Sequence, residues 1–280
     1  MITRFAPSPT GLLHLGHAFS ALTAWDMSQA AGGQFLLRLE DIDTPRCKAE
    51  YEAAIYEELD WLGLRWRLPI LRQSGRQSAY DAALGKLADL GLTYPCSCSR
   101  TDIRAALSAP QEGAPANGPD GPLYPGTCRG RSMTERGADD AVRLNMAAVG
   151  VLLGPKVLGV DETGARHAGS YQIGAADLPG LGDIVLARRD IGTSYHLAVV
   201  VDEAAQGVSH VVRGRDLFAA TPIHVLLQHL LGLPTPSYHH HRLIRDARGK
   251  RLAKRDDARS LRSLRQQGKT RADIRNMLGL

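Results

Sequence analysis

The sequence predicts an α/β protein built on a doubly wound, parallel, Rossmann-type sheet, and the pattern of residues near its start supports this. Residues 2–6 form a short apolar run, Gly11 lies in a turn, and residues 12–30 carry apolar side chains at helical spacing. Residues 34–39 form a second apolar run typical of a buried strand. A strand, a helix and a strand in succession predict a βαβ unit with parallel strands and a right-handed crossover.

The next segments differ in composition. Residues 49–62 and 77–90 have amphipathic patterns that predict two helices, the second ending before Gly91. Residues 108–125 hold five prolines and three glycines, which predicts a surface loop. Residues 141–146 and 151–160 then suggest two short strands of an inserted module.

The parallel sheet is expected to resume after this module. Residues 194–201 read SYHLAVVV and are predicted as a buried strand, and residues 208–212 as another. The chain should therefore contain one catalytic-type domain in two halves, a separate insert and a C-terminal part, with predicted bounds of 1–95 and 185–240, 96–184, and 241–280.

Charge is concentrated at the C-terminal end. From residue 242 onward there are 13 Lys and Arg against four Asp, a net charge of +9 in a chain of net charge +5. This suits a polyanion such as RNA, although a solvated basic helix would have the same composition. The N-terminus has no apolar signal region, and no run approaches the roughly 18 apolar residues of a membrane helix, so a cytoplasmic protein with no membrane contact is expected.

Residues 7–17 lie at the predicted junction between the first strand and its helix. Ligands of parallel sheets bind there, because the free N–H groups of the helix start favour negative charge. Gly11 would permit an unusual backbone angle or a close approach, and Gly16 would let a base or ribose lie near the helix. His14 and His17 share one helical face and could donate hydrogen bonds to phosphate oxygens.

The stretch from residue 4 to residue 17 reads RFAPSPTGLLHLGH. It resembles the signature of class I aminoacyl-tRNA synthetases, and its first half resembles the glutamyl and glutaminyl branch. The resemblance implies a synthetase catalytic domain with ATP as substrate, accompanied by Mg²⁺, and it implies that His14 and His17 are catalytic. The residues it implies for ATP in this segment are Pro7, Gly11, His14, Gly16 and His17.

A second motif falls in the basic C-terminal part. Residues 251–255 read RLAKR and resemble the KLSKR form of the loop that closes this class of catalytic domain. Lys254 keeps the position whose ammonium would stabilise the leaving pyrophosphate, so it is a further catalytic candidate, and Arg251 could supply the first positive charge of the ATP site. Ala253 replaces the serine, which leaves the contribution of the loop open.

Glutamate carries two carboxylates and an ammonium, so its site needs cations, a carboxylate and hydrogen-bond donors. Glu40 would pair with the amino group, while Arg4, Arg213 and the Tyr195 hydroxyl would take the carboxylates. The sequence does not decide which arginine meets which carboxylate, and glutamine remains an alternative substrate. By resemblance to the same branch, the glutamate-binding residues are Arg4, Phe5, Ala6, Pro7, Ser8, Glu40, Tyr195 and Arg213.

Three of the four cysteines cluster in sequence as if around a metal. Cys96, Cys98 and Cys128 could supply three thiolates to a tetrahedral zinc, although buried cysteines often serve as small apolar residues. The segments YPCSCSR and LYPGTCR resemble the zinc module of glutamyl-queuosine tRNA(Asp) synthetases, which implies a structural zinc with Tyr124 as the fourth ligand. His167 is an alternative fourth ligand.

A conventional glutamyl-tRNA synthetase continues beyond this length with a domain that reads the anticodon. The resemblance therefore implies transfer of glutamate to queuosine at the wobble position of tRNA(Asp), with the anticodon stem-loop as partner and a monomeric enzyme. Three alternatives remain: charging of tRNA(Glu) or tRNA(Gln) with a missing or separate anticodon domain, a non-catalytic RNA- or nucleotide-binding paralogue, and a nucleotidyltransferase acting on a small molecule.

Overall fold

The computed structural model describes residues 1–107, 117–164, 168–244 and 260–280. The helices of these residues are α1 (Leu15–Ala30), α2 (Ala49–Trp61), α3 (Gln77–Asp89), α4 (Arg100–Leu107), α5 (Met146–Leu153), α6 (Leu178–Leu181), α7 (Tyr195–Ala205), α8 (Thr221–Leu231), α9 (Leu261–Gln266) and α10 (Arg271–Leu278). The strands are β1 (Ile2–Phe5), β2 (Gln34–Leu39), β3 (Arg67–Arg72), β4 (Thr93–Cys96), β5 (Asn117–Gly118), β6 (Gly121–Pro122), β7 (Ala141–Leu144), β8 (Leu158–Glu162), β9 (Gly169–Ile173), β10 (Val185–Ala187), β11 (His210–Gly214) and β12 (Ser237–His241).

Parallel pairing confirms the predicted α/β class. Strand β2 pairs in parallel with both β1 and β3, and β12 pairs in parallel with both β11 and β8. The two sets of parallel strands lie side by side at β1 and β11. The N–H of Ser209, just before β11, donates to the Ile2 carbonyl of β1 at 3.0 Å. Helix α1 connects β1 to β2, which completes the predicted βαβ unit.

The middle of the chain adds antiparallel strands. Strand β7 pairs with both β4 and β10, and β8 pairs with β9, so β8 and β9 extend the sheet that contains β11 and β12. The short strands β5 and β6 form a hairpin within the predicted loop of residues 108–125. Residues 108–116 of that loop lie outside the described residues.

The prediction of a strand over residues 194–201 was wrong, since these residues begin helix α7. The Ser194 hydroxyl caps that helix by accepting from the Leu197 N–H. Residues 196–200 are all buried, so the helix has no polar face in this stretch, and its valines give the apolar run that a strand would give. The prediction of a strand over residues 151–160 was also partly wrong, because residues 151–153 are the last residues of α5 and β8 begins only at Leu158.

Two large apolar cores hold these elements. The first joins α3, α5, α7 and α8 to the strands around β7, and the second packs α1 and α2 against β1 and β2. The C-terminal helices join the second core through the buried side chains of Leu261, Ile274 and Leu278. Within the described residues, no helix has the length and apolar character needed to cross a membrane.

Candidate active site

A cavity of about 460 Å³ opens where β1, β2 and β11 end. Its walls bring together two groups of residues that the sequence predicts separately, one for an amino acid and one for ATP. The predicted residues that line it are Arg4, Phe5, Ala6, Pro7, Ser8, His14, Gly16, His17, Glu40, Tyr195 and Arg213. The site therefore occupies the edge of the sheet at which parallel strands are expected to bind ligands.

The two signature histidines fold against each other at the start of α1. His14 is the N-cap residue, and its Nδ1 accepts from the Gly16 N–H at 3.0 Å. His17 Nδ1 accepts from the His14 N–H at 3.2 Å, and the two imidazole rings stack with centroids 3.8 Å apart. In both rings Nδ1 accepts a backbone hydrogen bond, so a neutral imidazole at either position carries its proton on Nε2.

The two glycines of the signature have different roles. A Cβ at Gly16 would lie 2.9 Å from Cε1 of His14, so the glycine makes room for the imidazole itself. Gly11 is buried and has no positive φ, so the expected unusual backbone angle is not found there. Gly11 also does not appear in the wall of the cavity, and its contact with ATP stays a prediction.

Arg4 and Glu40 belong to a group of two cations and two carboxylates, all of them buried except Glu40, which is half-buried. Arg4 binds Glu203 Oε1 through Nε at 3.0 Å and Nη2 at 2.9 Å. Arg38 is fully buried and binds Glu40 at 3.0 Å, with Glu203 at 3.6 Å. Burial raises the pKa of the Glu40 carboxyl, and the Arg38 charge opposes that rise. The formal charges of this group cancel, so Arg4 and Arg38 are neutralised inside the protein.

Arg213 has a different environment, because its contacts are neutral groups. Its Nε donates to His240 Nε2 at 3.1 Å, and its Nη1 donates to His224 Nδ1 at 2.9 Å. Nη2 donates to the Thr221 hydroxyl at 2.8 Å and to the Leu217 carbonyl at 3.3 Å. Among the described residues, Arg213 forms no ion pair with a carboxylate, although only 4% of it is exposed.

Tyr195 is the first residue of α7, and its position follows from the Ser194 cap. Its ring packs against His224, with centroids 5.7 Å apart, and burial raises the pKa of its hydroxyl. The phenol therefore stays protonated near neutral pH and can donate a hydrogen bond into the cavity.

A larger cavity of about 870 Å³ adjoins the first and shares Ser8, Glu40 and Tyr195 with it. Its opposite side is formed by the region from β4 to β10, including α4 and the residues after β10. The basic residues in its wall are Arg46, Arg100, Arg143, Arg188 and Arg189. A polyanionic molecule could reach the smaller cavity from this side.

The cysteines meet as the sequence predicts. The sulfur atoms of Cys96, Cys98 and Cys128 all lie within 4.8 Å of one another, and those of Cys98 and Cys128 are 3.6 Å apart. The Tyr124 hydroxyl is 3.3 Å from the Cys98 sulfur. Three thiolates around a tetrahedral zinc would lie at similar separations, given Zn–S bonds of about 2.3 Å. The donor set therefore fits zinc, with Tyr124 near enough to be the fourth ligand.

Hydrogen bonds also favour a thiolate in this cluster. Burial alone would raise the pKa of Cys128, but contacts with Tyr124 and Ser97 lower it to about 6. A thiolate is the form of cysteine that binds metals.

Three predicted residues, Arg251, Lys254 and His167, lie outside the described residues. Ser260, the first described residue after Lys254, forms an antiparallel bridge with His14, and the Leu261 N–H donates to the Leu13 carbonyl at 2.8 Å.

Sequence reasoning missed the residues that surround the predicted ones. Arg38 neutralises Glu40, and Glu203 neutralises Arg4. The sequence pattern that could have revealed them is a charged residue inside an otherwise apolar segment. The neutral residues around Arg213 come from two separate elements, α8 and β12, so no local spacing connects the residue on β12 to the two on α8. These residues are Thr221, His224 and His240.

The fold and the paired histidine signature define a class I tRNA synthetase catalytic domain. The family described as "tRNA synthetases class I (E and Q), catalytic domain" matches residues 1–280, and the chain belongs to this family. It is 57% identical over 284 residues to a glutamyl-Q tRNA(Asp) synthetase of Rhodobacter capsulatus, with 100% of both chains covered. It is 41% identical to the glutamyl-Q tRNA(Asp) synthetase of Nocardia farcinica, covering 98% of this chain and 82% of that one.

Solved structures agree with this assignment. A glutamate-tRNA synthetase from Elizabethkingia anophelis superposes with a TM-score of 0.72 at 26% identity, over 91% of this chain. A glutamate tRNA ligase from Elizabethkingia meningosepticum, in complex with its amino acid, gives 0.71 at 27% identity. The chain covers 53% and 52% of these two proteins, so it spans about half of their length.

Proposed function

We propose that the protein activates glutamate with ATP and transfers it to the queuosine base at the wobble position of tRNA(Asp). The observation that carries the proposal is the single 460 Å³ cavity that unites the predicted amino acid residues with the histidine signature. The 57% identity to a protein named glutamyl-Q tRNA(Asp) synthetase, over the full length of both chains, supports the choice of acceptor.

In the first step, an α-carboxylate oxygen of glutamate attacks the α-phosphorus of ATP. The bond to the β-phosphate oxygen breaks, pyrophosphate leaves and glutamyl-adenylate forms. Glu40 would hold the substrate ammonium, and His14 and His17 would donate to phosphate oxygens as charge develops. Lys254 and Arg251 would assist the leaving pyrophosphate. Such a step needs only positioning and charge stabilisation from the protein.

In the second step, a hydroxyl of the queuosine cyclopentenediol attacks the carbonyl carbon of the adenylate. AMP leaves, and the hydroxyl proton is released to solvent. The anticodon stem-loop would enter through the 870 Å³ cavity, whose wall carries Arg46 and Arg100 and which meets the amino acid site at Ser8 and Glu40. Single-stranded loops with splayed bases are the RNA elements that proteins read most specifically.

We further propose a structural zinc held by Cys96, Cys98, Cys128 and Tyr124. Bound there, the metal would cross-link β4 and the segment after it to the chain around residue 128, on the wall that faces the incoming RNA. It would take no part in the chemical steps.

The decisive experiment incubates the enzyme, ATP and labelled glutamate with total tRNA from cells that make queuosine and from cells that do not. Label should enter only the first preparation and should map to tRNA(Asp). Equal labelling of both preparations would exclude queuosine as the acceptor. Labelling of unmodified tRNA(Glu) would instead favour the activity named for the solved glutamate-tRNA synthetases.

A further inference from the structure

The hydrogen bonds around Arg213 have a fixed direction. A guanidinium has only N–H donors, so the nitrogens that it contacts on His224 and His240 must both be acceptors. His224 therefore carries its proton on Nε2, which lies 2.9 Å from His196 Nδ1. His240 carries its proton on Nδ1, which lies 2.5 Å from a Glu162 carboxylate oxygen.

The chain of contacts continues on the His224 side. His196 must accept at Nδ1, so its proton is on Nε2, which lies 2.8 Å from the Asp120 carboxylate. The two carboxylates at the ends of these chains of contacts are thus separated from Arg213, Glu162 by one imidazole and Asp120 by two. Burial, together with the Arg213 charge, lowers the pKa of His224 well below its ordinary value and that of His240 to about 4. Both rings are neutral at physiological pH.

Arg4 provides the contrast within the same cavity. It contacts Glu203 directly at 2.9 Å, whereas Arg213 contacts four neutral acceptors. A buried guanidinium without a contacting carboxylate has lost water without gaining a counter-ion, which is costly unless a ligand supplies one. The α-carboxylate must face the ATP at His14 and His17 in the proposed reaction, so the side-chain carboxylate is the group left for Arg213.

We propose that Thr221, His224 and His240 are positioning residues that keep Arg213 free of an internal counter-ion, and that this arrangement selects an amino acid with a side-chain carboxylate over its amide. The inference rests on the proposed function and names the residues that make its site selective for glutamate. A glutamine amide cannot neutralise Arg213, so binding it would leave the buried charge uncompensated.

The test adds a carboxylate beside Arg213 and compares it with its uncharged isostere. Thr221→Asp and Thr221→Asn differ by one charge, and Thr221 is the first residue of α8, where an acidic side chain is well tolerated. His224→Glu and His224→Gln form a second matched pair. The measurement is kcat/KM for glutamate and for glutamine in ATP–pyrophosphate exchange, with thermal unfolding as the check on folding.

The wild-type enzyme should prefer glutamate by at least about 100-fold. The acidic variants should lose at least about 10-fold of that preference relative to their amide partners. Equal preference within a pair of folded variants would overturn the inference, and so would a wild-type enzyme that does not distinguish the two amino acids. Absence of exchange with either amino acid in the wild type would instead contradict the proposed function itself.

Discussion

At the residue scale, the nucleotide signature is held together by its own side chains. His14 caps α1 in place of the usual serine or aspartate, and its ring occupies the space that a Cβ at Gly16 would need. The stacked pair of imidazoles is therefore positioned by backbone N–H groups, before any ligand binds. The glycine between the two histidines therefore leaves room for the His14 ring, in addition to permitting a close approach of the nucleotide.

Substitution of Gly16 by alanine should reduce activity without reducing stability. The new Cβ would lie 2.9 Å from His14 and would displace its ring, whereas alanine favours a helix by up to about 1 kcal/mol over glycine. We expect ATP–pyrophosphate exchange to fall by at least about 10-fold with the melting temperature unchanged or higher. Gly85→Ala is the matched control, because Gly85 lies in α3 and no atom is within 4 Å of its added Cβ. Full activity of Gly16→Ala would contradict this account of the glycine.

At the element scale, sequence periodicity predicted the bounds of those strands and helices whose apolar residues follow a regular spacing. Strand β2 has the predicted bounds, and α2 and α3 each end one residue before the predicted limit. Helix α7 was missed because it is buried on nearly all sides in its first two turns, which removes the polar positions that reveal a helix. Burial on all sides is a property of the tertiary structure, and a single sequence does not record it.

The candidate site divides in the same way. Residues in a contiguous motif, such as His14 and His17, could be predicted together with their shared face. The environment of Arg213 could not be predicted, because α8 and β12 bring His224 and His240 to it from positions 11 and 27 residues away. The resemblance to the family motif identified Arg213 as a candidate. Only the folded chain shows that the surroundings of Arg213 are neutral, whereas Arg4 forms an ion pair.

The cysteine cluster gives a prediction about metal content at this scale. Purified protein should contain about one zinc per chain, and Cys128→Ser should lose most of it, because a closed tetrahedral site needs all of its ligands. Cys47→Ser is the control, since Cys47 lies outside the cluster. Zinc content by atomic emission is the measurement. Undiminished zinc in Cys128→Ser, or wild-type protein without zinc after expression in zinc-containing medium, would contradict the predicted site.

The contact between α2 and α9 gives a prediction about pH. Glu58 is 2% exposed, and burial raises the pKa of its carboxyl to about 7, with the Arg262 charge opposing. Since the folded-state pKa lies above the ordinary value of 4.5, the stability of the protein is lost as the pH rises from 4.5 through 7. Glu58→Gln removes this ionisation, so the free energy of unfolding should rise at pH 8 by about 1–3 kcal/mol and change little at pH 4.5.

Denaturant unfolding of wild type and variant across this pH range measures the effect. Glu50→Gln is the matched control, because Glu50 lies exposed on the same helix, eight residues from Glu58, and should leave the pH dependence unchanged. Parallel pH profiles for Glu58→Gln and the wild type would show that Glu58 ionises in the folded protein as it does in the unfolded chain.

At the scale of the whole molecule, the two adjoining cavities separate the two proposed steps. The smaller is lined by Glu40, His14 and His17, which are proposed to act in adenylate formation, and the larger is lined by basic side chains that the proposed first step does not use. Arg46 has 69% of its side chain exposed, and its ion pair with Asp43 is a surface contact that contributes little stability. Arg100, at the start of α4, is also exposed. Both are therefore available to RNA phosphates.

Alanine at Arg46 or Arg100 should leave glutamate-dependent ATP–pyrophosphate exchange unchanged and weaken transfer to tRNA. Each lost phosphate contact should reduce the slope of log affinity against log salt by about 0.7–0.9. Arg65→Ala is the control, because Arg65 pairs with Asp60 on the surface and lines neither cavity. Binding of the tRNA at several salt concentrations, measured beside the exchange rate, separates the two steps. A variant that loses exchange and transfer in equal proportion would show that the larger cavity serves activation, and would move the RNA path to another face of the protein.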